Sequence, residues 1–423
     1  TAVGYSAGTA VTTGVNNTFV GGLAGDALTV GNDNDAFGVS ALTSDTKGSK
    51  STAIGRGALN AQNFTTATDA FNVAVGYIAG GAVTTGIRNT PIGANAGVSI
   101  TDADNTVAIG PNALHTNQLG SQTIAIGREA LASMNPSGAA NTYNTAVGAD
   151  AGYAVTTGTN NTLIGGLAGD ATTTGSNNTA LGGGALSENT TASNNTAVGY
   201  YALLSNTTGD RNTAVGSGAA DSLTTGAANT AIGYKAMDAH STGNSNTAVG
   251  AYALDANTTA GDNTAVGSSS LTANTTGASN VAVGTSSLAA NTTGASNVAV
   301  GIFAMGVNTT GDYNTAVGGN SLDANTTGAS NSAFGRMALS ANTTGGSNTA
   351  FGKDAGLVTT TGTDNTYIGT FAAEAATTAS NNTFVGRASG NTVTTGSKNT
   401  IVGRYNGNQG GLDIRTSDNN IVL

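Results

Sequence analysis

Short bursts of alternating small and β-branched residues run along the chain, and each burst closes on a glycine, as in Asn195-Thr196-Ala197-Val198-Gly199. The residue before that glycine is apolar throughout: Val3, Val20, Phe37, Ile54, Val75 and onward to Val402. Gly4, Gly21, Gly38 and Gly55 fall 17 residues apart, a step of 21 leads to Gly76, and a second step of 21 separates Gly127 from Gly148. From Gly148 the period of 17 holds to Gly403, giving 24 units with two four-residue insertions, within 60–70 and 132–143. Alternation with period two predicts a strand, and the recurrent glycines leave no room for a helix. A helical repeat needs about 34 residues. Seventeen suffice for one flat coil with two short strands and two glycine corners. The first strand is expected at Thr-Ala-Val and the second around Ala-Leu, running towards Asn-Thr-Thr. At both corners glycine is expected to supply a positive φ. Stacked coils make an all-β parallel β-solenoid, or β-roll, in which like residues form ladders. Asn144, Asn195, Asn212 and Asn229 are read as one such ladder of side-chain amides.

A longer period overlies the first third. The residue after the repeat alanine runs Gly8, Gly25, Leu42, Leu59 and again Gly80, Gly97, Leu114, Leu131, while the middle strand position enlarges in phase at Phe19, Pro91 and Leu163. The expected organisation is one continuous solenoid over 1–407. Within it, 1–147 holds superblock coils with the two insertions, 148–352 regular coils and 353–407 variant coils. Residues 408–423 are read as the start of a following segment. Thr1 falls inside a repeat, so the chain is read as part of a longer polypeptide.

Composition narrows the function. Only 9% of residues are charged, against about 25% in typical domains. Thirteen scattered basic residues offer no stripe for phosphates, so nucleic acid is not an expected partner. There is no cysteine, hence no disulfide or thiolate site. No run of 18 apolar residues exists to cross a bilayer as a helix. The two histidines, His115 and His240, sit in different units and read as isolated exposed polar residues. Carboxylates do not recur as a spaced pair, and no lysine follows Gly182-Gly183-Gly184 as a phosphate loop requires. No enzyme, metal or cofactor is expected. If the chain recognises a ligand, the insertion loops are the favoured places. Phe64 and Thr65 in the first, and Met134, Asn135 and Pro136 in the second, are the candidate surface residues.

The first strand is apolar on one side and small on the other, with little charge on either. Burial of both faces accounts for that: the β-branched side in the coil's own interior, the alanine side against a neighbouring copy. A parallel homo-oligomer is the expectation. The steps Asn246-Thr247-Ala248-Val249-Gly250 and Asn280-Val281-Ala282-Val283-Gly284 resemble the head repeats of YadA-type trimeric autotransporter adhesins. The longer pattern with Asn-Thr-Thr-Gly is more similar to repeat regions of marine phage tail fibres, cyanophages among them, as is the closing stretch from Gly411 to Leu423. The resemblance implies a left-handed roll and a homotrimer, intertwined or side by side. It also implies a structural fibre of the virion that meets a host-surface receptor or glycan alongside other appendage proteins. A bacterial surface adhesin head is the alternative. An ice-binding solenoid is a further one, disfavoured because the Asn-Thr-Thr-Gly threonines lie at a corner, not on a flat strand.

Overall fold

The computed structural model describes residues 1–423, and every regular element in it is a β-strand. The chain divides into two compact units, Thr1–Arg211 and Asn212–Leu423. Each is a parallel β-solenoid. In the first unit, strands of two or three residues run from Ala2–Val3 to Thr196–Val198; in the second they run from Thr213–Val215 to Thr400–Val402. Each pairs in register with its copy one coil on, as Ala282 with Ala299 and Thr162 with Thr179. Fold class and the 17-residue period are therefore as the sequence indicates. The insertions do not interrupt the ladder. Ala53 still pairs with Ala74 and Ala125 with Ala146. Two extra parallel pairs, Gly48–Ser49 with Thr68–Asp69 and Gly120–Ser121 with Ala140–Asn141, zip the enlarged coils together.

The second expected strand does not form. Residues 336–341, which follow the strand Ser332–Phe334, are a continuous turn in which Met337 (φ 56) and Leu339 (φ 51) adopt the left-handed conformation. The same two positions are left-handed in other coils, for example Phe303 and Met305, or Tyr252 and Leu254. Such a conformation costs a non-glycine residue roughly 1–2 kcal/mol. It is offset because each reversal aims a peptide along the stack: Met337 N–H donates to Gly319 O (3.1 Å) and Leu339 N–H to Ala355 O (3.0 Å). Backbone groups that would be orphaned in an isolated coil are thus satisfied by its neighbours.

The strand faces are also opposite to expectation. Ala197, Ala282, Ala299 and Ala333, at the middle strand position, are fully buried, and they meet Leu203, Leu288, Leu322 and Leu339, also fully buried. The flanking threonines and the residues before glycine point outward. Val283 and Val300 are 36% exposed and Phe351 59%. The coil is too thin to hold two β-branched rows, so alanine goes inside. The alanine row is therefore not an interface with another copy.

Asparagines close most coils. In the second unit, Asn331 donates from its backbone N–H to Asn314 Oδ1 (2.9 Å) and from Nδ2 across the coil to Gly345 O (2.8 Å). A second ladder, on Asn-Thr-Thr-Gly, links Asn342 Nδ2 to Asn325 Oδ1 (2.9 Å) and to Gly345 O (2.9 Å). Asn144 and Asn229 behave as ladder members as expected, taking the backbone N–H of Asn161 and Asn246. Only one corner requires glycine for its φ. Gly301, after the strand, has φ +140, and a Cβ there would lie 2.6 Å from the Gly318 carbonyl. Gly345, at the other corner, is not left-handed, and although a Cβ built there would lie 2.3 Å from Gly362 O, the equivalent corners of other coils carry the buried Ala192, Ala260 and Ala379, so this position prefers small residues without requiring glycine. Asn408–Gln409 and Leu412–Asp413 form an antiparallel hairpin, Ile414 is buried, and Ile421–Val422 adds a rung to Thr400–Val402.

Candidate functional site

With alanine inside, the outer sheet face of each unit carries two parallel ladders, one of threonine and one of β-branched or aromatic residues. In the second unit the apolar ladder runs Val215, Ile232, Val249, Val266, Val283, Val300, Val317, Phe334, Phe351, Ile368, Val385 and Val402. None of these side chains is fully buried. Phe334 and Phe351 pack ring to ring with centroids 5.7 Å apart. An uninterrupted apolar stripe of this kind is unusual on a protein surface exposed to water.

The insertions place the candidate residues differently from one another. Thr65 and Asn135 are exposed and Pro136 half-buried. Phe64 is only 5% exposed and Met134 fully buried, so neither is available for recognition. Phe64 covers Gly48, where an added Cβ would meet its ring at 2.8 Å. Met134 takes the interior position that Asn117 fills one coil earlier, and its Sδ receives Asn144 Nδ2 at 3.5 Å. Gln62 is likewise interior, donating to Asp45 (2.6 Å) and accepting from Asn72 (2.9 Å).

Beside the second insertion the surface is concave. One groove of about 220 Å³ is lined by Asn112, His115, Thr116, Glu129, Ala132, Ser133 and Tyr153. It continues, through Glu129 and Tyr153, into another of about 220 Å³ with Arg128, Asp150, Leu167 and Asp170. Arg128 pairs with Glu129 (3.3 Å) and with Asp150. The grouping was missed in the sequence although its members are in register: Asn112, Glu129, Asp150 and Leu167 stand two residues after the repeat glycine of successive coils, and His115, Ala132, Tyr153 and Asp170 five.

His240 is not the exposed residue expected. It is fully buried in the inner asparagine ladder, at the position Asn257 holds one coil later. Its short contacts assign the proton to Nε2, which donates to Gly243 O (2.9 Å), while Nδ1 accepts from Asn257 Nδ2 (2.9 Å). The neutral ring thus copies the donor and acceptor of an asparagine. Burial holds its pKa below the ordinary imidazole value, against the pull of the Gly243 and Asn257 carbonyls. A lowered folded-state pKa gives stability that is present above about pH 6.5 and lost as pH falls from there through the folded value. On the outside of the same region, Asp221, Asp238 and Asp255 recur at one position of consecutive coils. Burial and then a proton shared with Asp238 push Asp221 up to about 6. That group works the other way, stabilising at acid pH and losing the effect as pH rises through about 6. Comparison of His240→Asn with the parent chain cancels the aspartate contribution. The parent is expected to lose about 1.4 kcal/mol more than the variant per unit of His240 shift between pH 7.5 and 5. Equal pH slopes in denaturant unfolding would contradict the neutral-ring assignment.

These features define a repeat protein of the parallel β-solenoid class, with a patterned outer sheet face and one polar groove. No protein-family model matches the chain, and no curated protein matches it.

Proposed function

We propose that the chain is a structural fibre segment of a phage tail fibre or similar appendage, which assembles as a homotrimer through its outer sheet face and serves attachment to a host surface. The observation that carries this reading is the apolar ladder itself. Each rung repeats the last, so a parallel copy meets the same chemistry at every step. Burial of a valine or isoleucine side chain contributes about 1.5–3 kcal/mol, and association sums that over many rungs. The likeness to adhesin heads and marine tail fibres supports three copies rather than two, and attachment rather than catalysis. The interface differs from the one the alternation suggested: valine and threonine meet the partner, and alanine does not.

Mass in solution, by light scattering after size exclusion, tests the assembly. Three chains per particle are expected. A monodisperse single chain would overturn it and would favour an ice-binding solenoid. The outer face favours that second reading to this extent: Thr213, Thr230, Thr247 and Thr264 form a flat outward row beside the valines. Thermal hysteresis in a monomeric sample would then be expected.

A further inference from the structure

The groove beside the second insertion holds chemistry that neither the coil nor the sheet-face interface uses. Tyr153 is 45% exposed and lines the groove together with Ala132 and Ser133, where the insertion begins. The backbone beneath is fixed: Ser133 N–H donates to Tyr153 O (3.1 Å), Glu129 N–H to Pro111 O (3.0 Å), and Asp150 N–H to Arg128 O (2.9 Å). His115, Asn112 and Thr116 line one end, and Arg128, Asp150 and Asp170 the other. In a chain with only 9% charged residues, such a concentration of polar side chains is a departure from the repeat.

We infer that this groove is a binding site for a neutral glycan, a reading that rests on the attachment role proposed above and assigns its ligand class. A pyranose ring has an apolar C–H face that suits an exposed tyrosine ring and hydroxyls that donate to carboxylates in charge-assisted bonds. The fixed backbone means that little ordering is required on binding. Charge selects the sugar. Arg128 is already engaged by Glu129 and Asp150, and Asp170 adds a third carboxylate, itself bonded to Ser187 Oγ at 2.5 Å. Three carboxylates against one guanidinium leave the groove negative, so it rejects sialic and uronic acids and accepts uncharged sugars.

The test uses the whole chain on an array of neutral oligosaccharides built from glucose, galactose, mannose and N-acetylglucosamine, with sialylated and uronic-acid chains alongside. Binding to at least one neutral chain and none to the acidic ones is expected. Tyr153→Ala and Glu129→Gln should each weaken it about tenfold or more. Tyr313→Ala, an exposed tyrosine of the other unit, should leave it unchanged. The inference is overturned if no neutral chain binds, if acidic chains bind better, or if the Tyr153 and Glu129 variants bind as the parent does. A trimer that binds no sugar removes this site and leaves the fibre reading standing, whereas a monomer that binds through Tyr153 does the reverse.

Discussion

With Val266, Val283 and Val300 changed together to lysine, the chain is expected to stay folded and to be recovered as a monomer. The three side chains occupy adjacent rungs and point away from the interior, where Ala265, Ala282 and Ala299 are fully buried. No cavity opens, and a lysine stem lies along the sheet with its ammonium in water. Lost strand preference amounts to at most about 1 kcal/mol per site. In an assembly the same lysines stack against their copies. Enclosing unpaired ammonium groups costs several kcal/mol each, more than a few rungs of valine contact can offset. Thr276→Lys, Thr293→Lys and Thr310→Lys together are the control: equal charge, at exposed corner positions of the same region. The corner variant should keep the parent's mass while the valine variant falls to one chain, both with unchanged far-ultraviolet spectra. A valine variant that keeps the parent's mass would move the interface off this face.

Which strand face lies inside was the part of the fold least legible in the sequence. Period-two alternation separates Val283 from Ala282 but does not say which is the core side. Size ordinarily decides, and here it misleads. The interior is filled by Leu288 and its equivalents from the opposite wall, and only alanine fits against them. That wall was invisible as structure because leucine in a left-handed turn has no sequence signature; the conformation is imposed by hydrogen bonds from the coils above and below. Other errors had a signal available. His240-Ser241-Thr242-Gly243 stands in the column that holds Asn206-Thr207-Thr208-Gly209 and Asn274-Thr275-Thr276-Gly277 two coils to either side, and Met134 stands seven residues after Gly127, as Asn117 does after Gly110. Alignment on the coil puts both inside. The groove was legible in the same way, since Glu129 and Asp150 stand two residues after the repeat glycine, and His115, Tyr153 and Asp170 five, on neighbouring coils that stay in register across the insertion.

The long period in the first third has a packing cause, and it yields a test of the interior. Where the middle strand residue is large, the left-handed position on the opposite wall is small in that coil and in the coil before it. Leu163 lies between Gly152 and Gly169: a Cβ on either would approach its methyl carbons to 2.7 Å and 2.8 Å. Leucine is admitted at this position where the strand carries alanine, as with Leu186 beside Ala180, both fully buried. Leu163→Ala alone should cost about 2–5 kcal/mol through the cavity it leaves. Gly169→Leu alone should cost about 1–3 kcal/mol, because a second leucine overfills the same space. Together they convert the coil to the pattern of the next one. The double variant should lie within about 1 kcal/mol of the parent, far from the sum of the two losses. Because each coil contacts only its neighbours, the effect is read locally, by hydrogen exchange in residues 145–190 as well as by the denaturant midpoint. Additive losses would show that the Gly/Leu alternation is not set by a shared interior volume.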